Sequence, residues 1–113
     1  FIITEICKIL DLSTSLHLSS TFSINKISTE RLIAIVKSLN GNVYLSGSGA
    51  KKYQDLDLFE SNFVQVKFNT FSHPEYNQVK TNSFLTGLSI LDFIFNIGIE
   101  NTKLFVSNSE QLV

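Results

Sequence analysis

His73-Pro74-Glu75-Tyr76-Asn77-Gln78 puts an imidazole, a carboxylate, a phenol and two amides on one short stretch. An imidazole changes charge near neutral pH and is the side chain best suited to proton transfer there. Proline fixes its own φ and pushes the residue before it towards extended backbone, so Pro74 would hold His73 in place. The same residues also fit a solvated surface loop in which Tyr76 covers part of a core. A second candidate is Gly47-Ser48-Gly49-Ala50-Lys51-Lys52-Tyr53. Gly47 and Gly49 allow positive φ and close backbone approach, so successive N–H groups there, helped by Lys51 or Lys52, could hold an anion. The spacing matches neither the dinucleotide fingerprint nor a P-loop, and an ordinary strand-to-helix turn also needs small residues. A third is the polar stripe Ser89, Asp92 and Asn96, at i, i+3 and i+7 on an otherwise apolar segment. A carboxylate on such a helix must meet solvent, a hydrogen-bond network or a ligand. It could equally be the wet face of a core helix.

The remaining reactive types carry less. Cys7 is the one cysteine and cannot form an internal disulfide; in an apolar helix it reads as a small hydrophobe. His17 lies between Leu16 and Leu18 and reads as a packed histidine. No H-x-x-x-H or H-x-E spacing occurs, so we expect no metal site, and nothing calls for a cofactor.

These groups must be positioned by the elements around them. Ile2, Ile3, Ile6, Ile9 and Leu10 share one helix face. Residues 15–20 can form a short strand. Ser28 is a plausible N-cap, followed by the stripe Leu32, Ile35, Val36 and Leu39, and Asn40-Gly41 supplies a stop with Gly41 left-handed. A strand at 43–46 leads into the glycine loop. Residues 55–62 read as helical turns burying Leu56 and Phe59, and 63–68 as a strand with Val64, Val66 and Phe68 on one side. A polar segment follows over 70–86. The spacing then predicts a largely buried helix over 88–97, stopped by Gly98, and a weak tail with a short strand at 103–106. This order predicts an α/β fold with a small, mainly parallel sheet and flanking helices. Ligands of such sheets bind beyond the carboxyl ends of the strands, which directs attention to the loops after Ser46 and Phe68.

The bulk properties narrow the function. The chain has 113 residues, enough for one small domain. It carries a net charge of −1 and a single arginine, Arg31, so no basic face for nucleic acid is visible. No apolar run reaches the roughly 18 residues that cross a bilayer, and the default location is cytoplasmic. With no Met and an opening already in helical phase, the chain is expected to be a fragment of a larger α/β domain.

Three linked blocks then resemble one family. Tyr44-Leu45-Ser46-Gly47-Ser48-Gly49, with Tyr53 and Asp55, resembles the YLSG-x-G block of the WbqC-like family. His73-Pro74 with Tyr76 and Gln78 resembles its HP-x-Y-x-Q segment, and Leu88 to Asp92 with Phe95, Asn96 and Gly98 resembles its LSILD-x-x-FN-x-G helix. Ser48 departs from the pattern, standing where proline is frequent. The resemblance implies the C-terminal half of a domain about twice this length, residues 1–113 being the part present. It implies a transferase-type enzyme moving acyl or amino-acyl groups in surface-polysaccharide (O-antigen) or nucleotide-derivative biosynthesis, on a small-molecule or nucleotide-activated substrate. It implies a cleft at the strand ends with His73 and Asp92 catalytic and Ser46, Gly47, Gly49, Tyr53, Tyr76, Gln78, Ser89 and Asn96 holding substrate. The alternatives are a nucleotide- or glycan-precursor-binding module without turnover, and an inactive truncated gene product. Oligomeric state stays open.

Overall fold

Parallel strands need a crossover between them, and the segment between the two strands of this chain provides one. In a computed structural model describing residues 1–80 and 83–109, the order is α1 (Ile2–Ile9), a 3₁₀ turn (Ser19–Thr21), α2 (Ser28–Ser38), β1 (Val43–Gly47), a 3₁₀ segment (Ser48–Tyr53), α3 (Leu56–Ser61), β2 (Gln65–Asn69), α4 (Ile90–Ile97) and α5 (Ile99–Ser109). The fold is α/β, with a small parallel sheet and flanking helices. The described residues form two compact units: His17–Phe71, and Phe1–Leu16 with the described residues from Ser72 onward.

In the unit His17–Phe71, β1 and β2 pair in register from Val43 with Gln65 to Gly47 with Asn69. Tyr44 and Val66 therefore share a face, and α2 and α3 cover it. The core is Ile33, Val36, Phe59 and Val64, with Tyr44 stacked on Phe59 at 5.4 Å between ring centroids. Phe59 is 1% exposed, so the predicted apolar positions of α3 are half right: Leu56 stands at the surface. The buried face of α2 is Thr29, Ile33 and Val36, turned from the expected Leu32–Leu39 stripe, and Leu39 is exposed. The turn follows from Thr29, whose Oγ1 accepts a hydrogen bond from the Asp55 N–H and ties α2 to the start of α3. Ser28 makes no capping bond and stands at φ 49°. Asp55 is the cap that forms, its Oδ1 accepting from the Leu58 N–H.

Three helices end in the same way. After α1, α2 and α3, the residues Asp11, Asn40 and Phe63 take φ between 54° and 57°. In α2 the Asn40 N–H donates to the Lys37 carbonyl and the Gly41 N–H to the Val36 carbonyl, the paired bonds of a Schellman stop. Asn40, not Gly41, is thus the left-handed residue. Gly41 is needed for space: a Cβ there would lie 3.2 Å from the Val36 carbonyl oxygen. After α3 the same stop consumes Phe63, so β2 begins two residues later than the expected start.

The expected strand at 15–20 is absent; Leu16 and Leu18 are exposed and the chain turns at Ser19–Thr21. Arg31 accounts for the path, donating to the carbonyls of Ser19 and Ile24. His17 is exposed rather than packed, with Phe22 beside it at 6.2 Å. In the other unit, the expected weak tail is instead α5, with Thr102 fully buried and its hydroxyl donating to the Gly98 carbonyl. Of α4 only Phe93 is buried, and Phe95 is 83% exposed, so its apolar circumference does not mean burial on all sides. Lys103 joins Asp11 at 2.6 Å, linking α5 to the end of α1, and this hydrogen bond raises the lysine above its usual range.

Candidate functional site

The sheet brings one group of candidates to its carboxyl end. Gly47 and Asn69 are register partners, so β1 and β2 finish side by side. Ser46 precedes that end and is 4% exposed. Its hydroxyl accepts from the Gln54 side-chain amide at 2.9 Å. The other atom of that amide, Gln54 Oε1, is buried without a hydrogen-bond partner among the described residues. The 3₁₀ segment Ser48–Tyr53 therefore starts at the strand end and folds back so that Gln54 meets Ser46. Gln54 attracted no notice in the sequence, where a lone glutamine after a glycine loop carries no motif.

The glycine loop lacks the positive φ expected of it. Gly47 is extended at φ −70°, ψ 144°, and neither it nor Gly49 has positive φ. No atom lies within 4 Å of a Cβ built on either glycine, so the space beside both is open. Lys51 and Lys52 lie over rings, Lys51 Nζ at 5.7 Å from the centroid of Phe68 and Lys52 Nζ at 4.9 Å from that of Tyr53. Tyr53 is exposed.

The other group gathers around α4. The phenol of Tyr76 donates to Asp92 Oδ2 at 2.6 Å. Gln78 exchanges two hydrogen bonds with the backbone of Leu85, its amide donating to the carbonyl at 2.9 Å and its oxygen accepting from the N–H at 2.8 Å. The Val79 N–H donates to Asn96 Oδ1, and the Asn96 amide donates to the Asp92 carbonyl. Ser89 caps α4, its hydroxyl accepting from the Leu91 N–H. Tyr76 also packs edge-on against Phe84 and Phe93, at 5.2 and 4.8 Å. Tyr76, Gln78, Asp92 and Asn96 thus come together as one network that fastens the polar segment to α4. Hydrogen bonding to Asp92 raises the Tyr76 hydroxyl above its ordinary range, which keeps it a donor. His73 is exposed at the head of the same segment, next to half-buried Pro74.

The chemistry of the two groups differs. The strand-end segment offers backbone, a buried hydroxyl, an amide and a ring beside open space, which suits recognition of a ligand. The α4 network offers a carboxylate and a phenol already hydrogen-bonded to each other, which suits fixing a loop. His73 supplies the imidazole of the polar segment. Cys7 is half-buried and free. No helix among the described residues is long and apolar enough to cross a membrane.

Comparison with known proteins gives two findings. The model of the WbqC-like protein family matches residues 1–104. A curated relative in Mycobacterium tuberculosis, named Uncharacterized protein Rv1507c, is 31% identical over 101 residues, covering 88% of this chain and 43% of its own length. The chain therefore spans less than half the length of that relative. No solved structure matches the chain.

Proposed function

The chain belongs to the WbqC-like protein family, and from that premise we propose that it serves acyl or amino-acyl group transfer onto a nucleotide-activated sugar or a related small acceptor. Surface-polysaccharide or nucleotide-derivative biosynthesis in the cytoplasm is the setting this reading gives it. The observation that carries it is the paired carboxyl ends of β1 and β2 at Gly47 and Asn69. Open-sheet α/β proteins bind ligands at that end. Gly47 and Gly49 leave room there for a group to approach the backbone, and exposed Tyr53 supplies an aromatic surface. Ser46, held by Gln54, is a buried polar side chain next to the strand end. In the unit that contains α4, His73 is the proposed acid or base, and Asp92 acts through Tyr76 and the segment they hold.

A second reading, a precursor-binding module without turnover, draws support from the α4 network. Asp92, Tyr76, Gln78 and Asn96 spend their hydrogen bonds on one another and on backbone. One experiment separates the two readings. Thermal unfolding of the intact encoded protein is followed with nucleotides, sugar nucleotides and amino acids, and turnover is assayed with whatever shifts it. Binding at a hundredfold excess over Kd stabilises by ~2.7 kcal/mol. Gly49→Val should abolish the shift while leaving the fold intact, because its Cβ meets open space. His73→Ala should keep the shift and lower turnover by ~10²-fold if it transfers a proton. Binding without turnover in the unaltered protein selects the second reading.

A further inference from the structure

The unit His17–Phe71 also contains a mainly apolar groove of about 600 Å³, whose apolar lining includes Leu56, Phe59, Phe63, Val66 and Phe68. Phe63 is 90% exposed and left-handed at φ 57°, a strained conformation for an aromatic residue that the unit does not bury. The groove runs along α3 and β2 and reaches Asn42 and Val43 at the start of β1: α2 packs on β1 and α3 on β2, and α3 supplies Leu56 and Phe59. On the side away from β1, β2 is a sheet edge, paired with β1 and with no other described strand. The Gln65 N–H points towards β1, where it donates to the Asn42 carbonyl, so alternation turns the Val66 and Phe68 N–H groups outwards. A two-stranded sheet is short of independent stability, parallel sheets are buried structures, and an open edge is a template for another strand.

An added strand would meet both needs at once. Hydrogen-bonded to β2 at the usual spacing of about 4.8 Å, it would place alternate side chains on the helix-covered face. Those side chains would enter the groove between Leu56, Phe63 and Phe68. The matched stretch is 43% of the relative's length, so most of that protein lies outside the part this chain resembles. We propose that the α3–β2 groove and the free edge of β2 receive a β-strand with apolar residues at alternate positions, supplied by a stretch of the same polypeptide outside residues 1–113. Phe63 is then a contact residue whose strain is offset by the strand it covers.

The polypeptide encoded by the intact gene tests this. A benzophenone attached at Phe63→Cys is photolysed and the cross-link located by mass spectrometry. Amide exchange at Val66 and Phe68 is measured in the unaltered protein, so the test survives a variant that fails to fold. The expected result is a cross-link within one polypeptide to an extended, alternating apolar stretch outside residues 1–113. Val66 and Phe68 amides should then exchange ~10²-fold or more slowly than in unstructured chain. Exchange of both at unstructured rates overturns the proposal. So does a cross-link to a second copy or to another protein, or an encoded polypeptide with nothing beyond these residues.

Discussion

Asp92 and Tyr76 show how a residue with catalytic chemistry can be put to positional use. The carboxylate accepts the phenol's hydrogen bond at 2.6 Å, and the phenol's ring packs on Phe93 one residue further along α4. The raised Tyr76 hydroxyl has a thermodynamic consequence with a definite sign. A folded-state value above the ordinary 10.0 means that the unfolded tyrosine ionises first. The contribution to stability is therefore complete below that value and is lost as pH rises through the folded one. Tyr76→Phe should lower the melting temperature at neutral pH and remove part of the loss in alkali, as read from melting curves across that range. A difference between variant and parent that stays constant through the alkaline range would contradict the hydrogen bond as its source. Asp92→Asn should weaken the same contact without emptying the space around it, so any loss of turnover beyond the loss of stability would mark a chemical role for the carboxylate.

At the scale of elements, the stops are where backbone conformation decides most. Gly98 lies at φ 85° and ψ 163°, a region essentially reserved for glycine, and it separates α4 from α5. Gly98→Ala should cost ~1–3 kcal/mol by denaturant unfolding, from backbone strain alone, since its Cβ would meet no atom within 4 Å. Asn40 tolerates its left-handed position because a short polar side chain does so readily; Asn40→Val should cost ~1–2 kcal/mol. Gly47→Ala and Gly49→Ala are the controls, with ordinary φ and open space, and should leave stability within ~0.5 kcal/mol of the parent. Binding loss in either, without loss of stability, is what the strand-end reading requires.

Across the whole molecule, each unit carries a small buried centre. In the unit His17–Phe71 the three buried apolar residues Ile33, Val36 and Val64 gather with Phe59, which also stacks on Tyr44 from β1. Phe59→Ala should remove ~3–5 kcal/mol, enough to unfold that unit or bring it near its midpoint at room temperature. Loss of the β1–β2 amide protection would report it. Around these centres much apolar surface stays uncovered, with Phe63 and Phe95 exposed by 90 and 83%. Surfaces of this kind mark contacts with other chain segments or other molecules.

Some elements are specified by local chemistry alone. The apolar period of α2, the strands around Tyr44 and Val66, the glycine stop at Gly98 and the family blocks were all legible, because each depends on residues within a few positions of one another. What each face meets depends on residues far apart in the chain. Periodicity shows which residues share a stripe, but Thr29 turned α2 by bonding to Asp55, 26 residues away. The pair Asn40-Gly41 marks the stop with Gly41 as the expected left-handed residue, but in the fold Asn40 takes that conformation and Gly41 lies against the Val36 carbonyl. Tyr76, Gln78, Asp92 and Asn96 were picked out as groups with chemistry, yet their bonding to one another spans the loop from the polar segment to α4. Hydrogen bonds between side chains distant in sequence leave no local pattern, so their partners appear only when the chain is folded.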